Sequence, residues 1–268
     1  MLKYVIAGYD WQDIIETTNK TLRFVHLGNQ PSYQNVWDLQ KRLQRQRIEQ
    51  KIPDTLLFVE HQPVYTIGKN GSENHVIASQ QQLSDEHIDV VLVDRGGDVT
   101  YHGPGQLVGY PIFDLKQHKK SISWYMRTLE AVILDVLDYY DIEGRREAEF
   151  TGVWVKDEKL MALGVRIARW VTMHGFALNV NPQLAHFDGI IPCGIFHKGV
   201  TSLEQLLKEK QDMAEVGKIV LQSFQKIFTF SDTIYADWRE ENGQILIDGA
   251  VAVSAVSNES RLAAPHNG

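Results

Sequence analysis

Four stretches of this 268-residue sequence gather side chains able to do chemistry. The densest is Arg95-Gly96-Gly97-Asp98-Val99-Thr100-Tyr101-His102-Gly103-Pro104-Gly105-Gln106. Its glycines let backbone approach a ligand closely and adopt positive φ. Arg95, Thr100, Tyr101 and His102 add four kinds of polar head to the same loop. A tight turn between two strands would also use glycine and proline, but the mixture of polar heads favours a binding loop. It is not a nucleotide P-loop, since G-x-x-x-x-G-K-[ST] occurs nowhere, and the G-x-G-x-x-G spacing of a dinucleotide turn is missing too.

The second stretch is Ile191-Pro192-Cys193-Gly194-Ile195, which holds the one cysteine. A lone cysteine is usually a small buried hydrophobe, yet Pro192 and Gly194 suit an irregular turn that can expose a thiol. With an ordinary pKa near 8.5, only about 3% of a thiol is thiolate at neutral pH. A nucleophilic role therefore needs a nearby cation or base. A metal site from His174, Cys193 and His197 would rest on a single thiol and is the weaker reading. The third is Lys159, which opens Lys159-Leu160-Met161-Ala162-Leu163-Gly164-Val165-Arg166 and would ordinarily be a solvated charge. The fourth is Thr172-Met173-His174-Gly175-Phe176-Ala177-Leu178-Asn179, either a core strand or a wall for a slim apolar ligand.

Positioning these residues falls to a chain of short strands and a few helices. The spacing predicts helices over residues 31–51, with Pro31 in the first turn, over 122–140, capped by Ser121, and over 213–228. Thr201-x-x-Glu204 reads as a capping box opening a short helix over 201–210. β-rich runs cover 55–60, 64–68, 88–94 and 106–113. Residues 152–156 and 160–168 read as a hairpin joined at Asp157-Glu158, followed by a strand over 170–180. A last loose alternation at Ile245, Ile247, Val251 and Val253 decays into a polar end. Interleaving without strict alternation means α+β. Residues 1–20 and 233–268 read as extensions to a domain over 21–232, the end of the chain being disordered.

Composition sets the boundary conditions. A 43% apolar, 23% charged chain of this length can bury a continuous core. One cysteine excludes an internal disulfide framework, and with no apolar run long enough to span a bilayer, a cytoplasmic protein is expected. The 27 basic and 34 acidic side chains leave a net charge of −7, which argues against a nucleic-acid partner, as the lack of a spanning run argues against a membrane one.

Together these stretches resemble the octanoyltransferases of lipoate biosynthesis, the lipoate-protein ligase B family. The resemblance is carried by residues 95–106, 159–166, 170–179 and 187–195, with His61-Gln62-Pro63-Val64-Tyr65-Thr66-Ile67-Gly68 as an earlier segment. It covers about 27–228. The order of the motifs and the 34 positions from Lys159 to Cys193 make it specific.

The resemblance implies a single-domain biotinyl/lipoyl-transferase-like fold, with a mixed or antiparallel central sheet flanked by helices. It implies transfer of an octanoyl (or lipoyl) group from acyl carrier protein to a lysine of lipoyl domains, those of 2-oxoacid dehydrogenases and the glycine cleavage H protein. Cys193 would be the nucleophile that carries the acyl thioester and Lys159 its partner. Arg95, Gly96, Gly97, Asp98, Val99, Thr100, Tyr101 and His102, with Ala162-Leu163-Gly164 and Gly175-Phe176-Ala177, would form the substrate pocket. No cofactor and no metal are implied. Asp98 stands where the family usually has a basic or neutral residue, and Met161 where it has a smaller one.

Acidic carrier and lipoyl domains would need a cationic face, expected at Arg145, Arg146, Arg166 and Arg169 before the cluster at 41–47. The rivals are an ATP-dependent lipoate or biotin ligase, a thiol hydrolase using Cys193 and His174, and a non-catalytic module that binds acyl carrier protein.

Overall fold

A computed structural model describes residues 20–29, 31–147, 150–191 and 199–248. In chain order, β1 (Thr21–Asn29) leads to α1 (Tyr33–Ile48), β2 (Asp54–Glu60), β3 (Val64–Ile67), α2 (Gln80–Asp85), β4 (Asp89–Leu92) and β5 (Val99–His102). Then follow β6 (Gln106–Ile112), α3 (Ile122–Tyr139), β7 (Arg145–Arg146), β8 (Val153–Val155), β9 (Glu158–Ala168) and β10 (Val171–Asn179). After a 3₁₀ turn at Leu184–Gly189 come β11 (Gly199–Val200), α4 (Leu203–Leu207), α5 (Met213–Phe228), β12 (Asp232–Tyr235), β13 (Trp238–Glu241) and β14 (Gln244–Ile247).

The main sheet runs β12-β1-β2-β6-β10-β9-β8-β7, with β11 added beside β9. β1 is parallel to β12 and β2, and β2, β6, β10, β9 and β8 are antiparallel in succession, so the sheet is mixed. A smaller sheet, β4-β3-β5, stands beside it. This is the α+β architecture expected.

Strand alternation builds a core on each face. Leu56, Phe58, Phe176 and Leu178 face α3 and α5, while Leu57, Val59, Met173 and Ala177 face α1. α3 forms where the three-and-four spacing is unbroken: Tyr125, Leu129, Val132, Ile133, Val136 and Leu137 are all fully buried. Each such side chain contributes about 1.5–3 kcal/mol. Ser121 Oγ accepts from the Trp124 N–H, the expected cap.

Several expectations shift. Pro31 precedes the first turn of α1, because Ser32 is the residue whose Oγ caps it, accepting from Asn35 N. The short helix is capped one residue later than expected, by Ser202 from Gln205 N. Thr201 instead donates its N–H to the Lys159 carbonyl (3.1 Å). Residues 99–102, read as loop, form β5 because each pairs with β3. At the expected boundary near 232, β12 pairs with β1, and the β13–β14 hairpin buries Ile245 against the α1 face of the core. Val251 and Val253 lie outside the described residues. Among the described residues, no helix is long and apolar enough to cross a membrane.

Candidate functional site

The glycine loop, β9 and β10 enclose a cavity of about 110 Å³, several times the roughly 10–15 Å³ that one water requires. The expected pocket residues Arg95, Gly97, Asp98, Val99, Thr100, His102, Ala162-Leu163-Gly164 and Gly175-Phe176-Ala177 all line it, and Lys159 joins them. Two expected residues do not. Gly96 is spent on the wall itself, its N–H donating to Val165 O (2.9 Å). Tyr101 points the other way along β5, against Tyr65 and Phe187, with its OH 2.7 Å from His186 Nδ1.

Sequence reasoning missed Tyr33, Val108, Tyr110, Thr151, Trp154, Gly199 and Val200, and its motifs held His174, Asn179, Phe187 and Ile190 without placing them in the pocket. Most are brought in by cross-strand register, which leaves no mark on the chain. Gly175 is required by packing and not by ligand space, since a Cβ there would collide with Gly109 O of β6.

Lys159 sits half-buried at the start of β9, opposite Trp154 of β8 and beside Val200 of β11. Its Nζ stands 4.8 Å over the Trp154 ring. Cys193 and His197 lie outside the described residues. The chain on both sides of that segment reaches the cavity: Ile190 lines it before the segment, and Gly199 and Val200 line it after. Ile191 N donates to His75 O (2.8 Å), and Val76 bridges Ile190, which fixes the approach.

Arg95 organises the glycine loop from inside. Its Nη1 donates to Asp98 O (2.8 Å) and Gly96 O (3.1 Å), and its Nη2 to Thr66 O (2.7 Å) and Thr66 Oγ1 (2.8 Å). The buried Asp98 Oδ1 takes Val99 N and pairs with His75 Nδ1, both at 2.7 Å. The buried carboxylate of Asp98 is therefore matched by a histidine facing it.

One wall is rich in buried histidine. Burial pushes His61 down to about 3 and, with the nearby His61, holds His102 well below 6.5. His102 Nδ1 lies 2.7 Å from Gln106 Oε1. A carbonyl oxygen only accepts, so the proton is on Nδ1 and Nε2 is the bare nitrogen. His174 has φ +58, unusual within a strand, and its Nε2 is 2.7 Å from Asp94 Oδ1. Burial lowers the His174 pKa against the opposing pull of Asp94. Burial also pushes Asp94 up, but the hydrogen bond and charge of His174, then Arg166, outweigh it and leave Asp94 below the usual carboxylate range.

His174 pairs with Val165, six positions along β9 from Lys159, roughly 20 Å at 3.3 Å per residue. The two groups therefore serve opposite ends of the cavity. Among the described residues no cluster of three metal-ligating side chains occurs.

The arginines expected to form a cationic face are largely engaged at home. Arg145 pairs with Glu147 and Asp157, Arg146 with the buried Glu130, and Arg166 with Asp94. These partners offset the positive charge that was to meet an acidic partner.

Comparison with known proteins agrees with this architecture. Residues 32–225 match the family model of the lipoyl protein ligase A/B catalytic domain. An octanoyltransferase of Caldicellulosiruptor saccharolyticus is 48% identical over 198 residues, covering 73% of this chain and 84% of the relative. One of Flavobacterium psychrophilum is 44% identical over 227 residues, covering 78% and 97%. Among solved structures, a bipartite lipoate protein ligase studied with its E2 lipoyl domain from Thermoplasma acidophilum superposes with a TM-score of 0.61. It shares 14% identity, and the match covers 82% of this chain and 88% of that one.

Proposed function

The chain belongs to the lipoyl protein ligase A/B catalytic-domain family, and we propose that it is an octanoyltransferase working through a thioester on Cys193. The donor is octanoyl-acyl carrier protein, and the acceptor is a lysine of a lipoyl domain. The observation that carries this reading is Lys159 at the cavity edge, beside the strand by which the chain returns from the segment holding Cys193.

Two exchanges account for the reaction. The Cys193 sulfur attacks the carbonyl carbon of the donor thioester, the bond to the carrier sulfur breaks, and that thiol leaves with the proton Cys193 gave up. One thioester replaces another at little cost. The acceptor amine then attacks the same carbon, the bond to Cys193 sulfur breaks, and the amine proton returns to the thiolate. An amide forms, which draws the sequence forward. As an ammonium, Lys159 favours the thiolate; as a neutral amine it takes the proton of the incoming lysine. Phe176, Ala177, Leu163 and Val108 offer the apolar lining an octanoyl chain needs.

The acceptor assignment draws on the octanoyltransferase relatives and on the neighbouring ligase studied with a lipoyl domain. Mixing the protein with octanoyl carrier protein and an unmodified lipoyl domain, without nucleotide, should add one octanoyl group to one lysine of that domain. Modification only from free octanoate and ATP would make the protein a ligase instead. Release of octanoate to water without any modified lysine would make it a hydrolase.

A further inference from the structure

A line of buried amides crosses the sheet and ends on Lys159. It starts at His102 on β5, whose Nδ1–H donates to Gln106 Oε1 (2.7 Å). Gln106, on β6, turns its Nε2 to Tyr101 O (3.2 Å) and to Asn179 Oδ1 (2.9 Å). Asn179, the last residue of β10, gives its Nδ2 to Thr201 O (3.0 Å). Thr201 N then donates to Lys159 O (3.1 Å). Gln106, Asn179 and Thr201 are all essentially buried, so each bond lost leaves a polar atom dry and unsatisfied.

The line also has a fixed direction. Since His102 donates to Gln106 Oε1, the Gln106 amide must present Nε2 to Asn179, which orients the Asn179 oxygen towards it and the Asn179 nitrogen towards Thr201. β10 stops at Asn179, and beside the start of β9 its place is taken by the two residues of β11. A strand of two residues has little hydrogen bonding of its own to hold it. The side chain of Asn179 supplies a tether that the ladder does not.

We infer that Asn179 is a positioning residue: it holds β11, the strand by which the chain returns from the Cys193 segment, in place beside Lys159. Gln106 fixes the rotation of the Asn179 amide and acts through it. The inference rests on the acyl-transfer reading for the partnership of Lys159 with Cys193. It differs from a substrate-binding role for Asn179, which would appear in KM.

The test uses Asn179→Ala and Gln106→Leu in the full-length protein, both neutral so that neither adds a charge near Lys159. Cys193 is the one cysteine, so its alkylation by iodoacetamide across pH reads the apparent thiol pKa directly. Both variants should raise that pKa by about one unit relative to the wild type, because a displaced ammonium favours thiolate less. The octanoylation kcat should fall about tenfold or more, with KM for the octanoyl carrier protein within twofold. A lower melting temperature with an unchanged thiol pKa and kcat would overturn the inference and leave Asn179 a structural residue. A raised KM with unchanged thiol pKa would overturn it in favour of substrate contact. If the wild type forms no octanoyl adduct, the functional reading fails separately. The alkylation profile still decides whether Asn179 tunes the thiol, and Gln106→Leu decides it if Asn179→Ala does not fold.

Discussion

The Lys159 ammonium lies 4.8 Å above the centre of the Trp154 ring, and the two residues are direct neighbours across β8 and β9. An aromatic face stabilises a cation by about 0.5–2 kcal/mol, and indole does so better than benzene. Replacing Trp154 by Phe and by Leu should slow octanoyl transfer in that order. The Leu variant should lose about fivefold from this contact alone, since about 1 kcal/mol is that factor. Single-turnover rates normalised to folded protein check it. Equal rates in both variants and the wild type would mean that the ring supports the fold and not Lys159.

The two duties of Lys159 separate in Lys159→Arg. A guanidinium keeps the positive charge but does not give up its proton in the working range. The variant should still acquire an octanoyl group from the carrier and then hold it, with discharge to a lipoyl domain at least about a hundredfold slower. Intact-mass measurement with time reads both steps. Wild-type discharge in this variant would remove Lys159 from the proton-transfer role.

His61 makes stability depend on pH. Its ring is fully buried 2.7 Å from Tyr110 OH, and burial lowers its pKa to about 3. The unfolded chain takes up this proton near 6.5 and the folded chain only near 3, so the stabilisation is complete above 6.5 and is lost as pH falls through that window. At pH 5 the loss from this one group is about 2 kcal/mol, at about 1.4 kcal/mol per pH unit. Thermal unfolding at pH 7.5 and pH 5 should show the drop, and His61→Asn should flatten it. An unchanged pH slope in that variant would assign the dependence to other groups.

The strands after residue 231 belong to the folded core. A chain ending at 248 keeps β12, β13 and β14 and is the reference. One ending at 231 loses β12, β13 and β14, with the buried Ile245 and Ala236, and should melt about 5–10 °C lower. Equal melting temperatures for both would show that β12 to β14 contribute nothing to the core.

How much of this was legible in the chain depended on the range of the interactions. α3 and α5 begin where periodicity put them, and α5 also ends there, because their own side chains bury against one face and declare it locally. The hairpin of β8 and β9 was readable, but its turn is Lys156-Asp157, with Lys156 at positive φ, and not Asp157-Glu158, because Glu158 already pairs with Val155 in the ladder. β5 was hidden because four residues between glycines look like loop until β3 pairs with them. β14 showed as the alternation at Ile245 and Ile247, whereas β12 and β13 were hidden because a weakly apolar stretch acquires its place only against β1 and α1. The site followed the same rule. Glycine-loop residues and the 162–164 and 175–177 triplets could be read from composition and resemblance. Trp154, Gln106 and Asn179 could not, since their relation to Lys159 exists only through register between strands far apart in sequence.

The central claim is a covalent octanoyl-cysteine. The most direct measurement is the intact mass of the protein after exposure to octanoyl carrier protein without nucleotide, followed by peptide mapping and then addition of an unmodified lipoyl domain. The account predicts a gain of one octanoyl group, mapped to Cys193, labile to hydroxylamine as a thioester is, and lost as the lipoyl domain gains it. A lipoyl domain that becomes octanoylated by Cys193→Ser at the wild-type rate, or with no adduct ever forming on the enzyme, would contradict it.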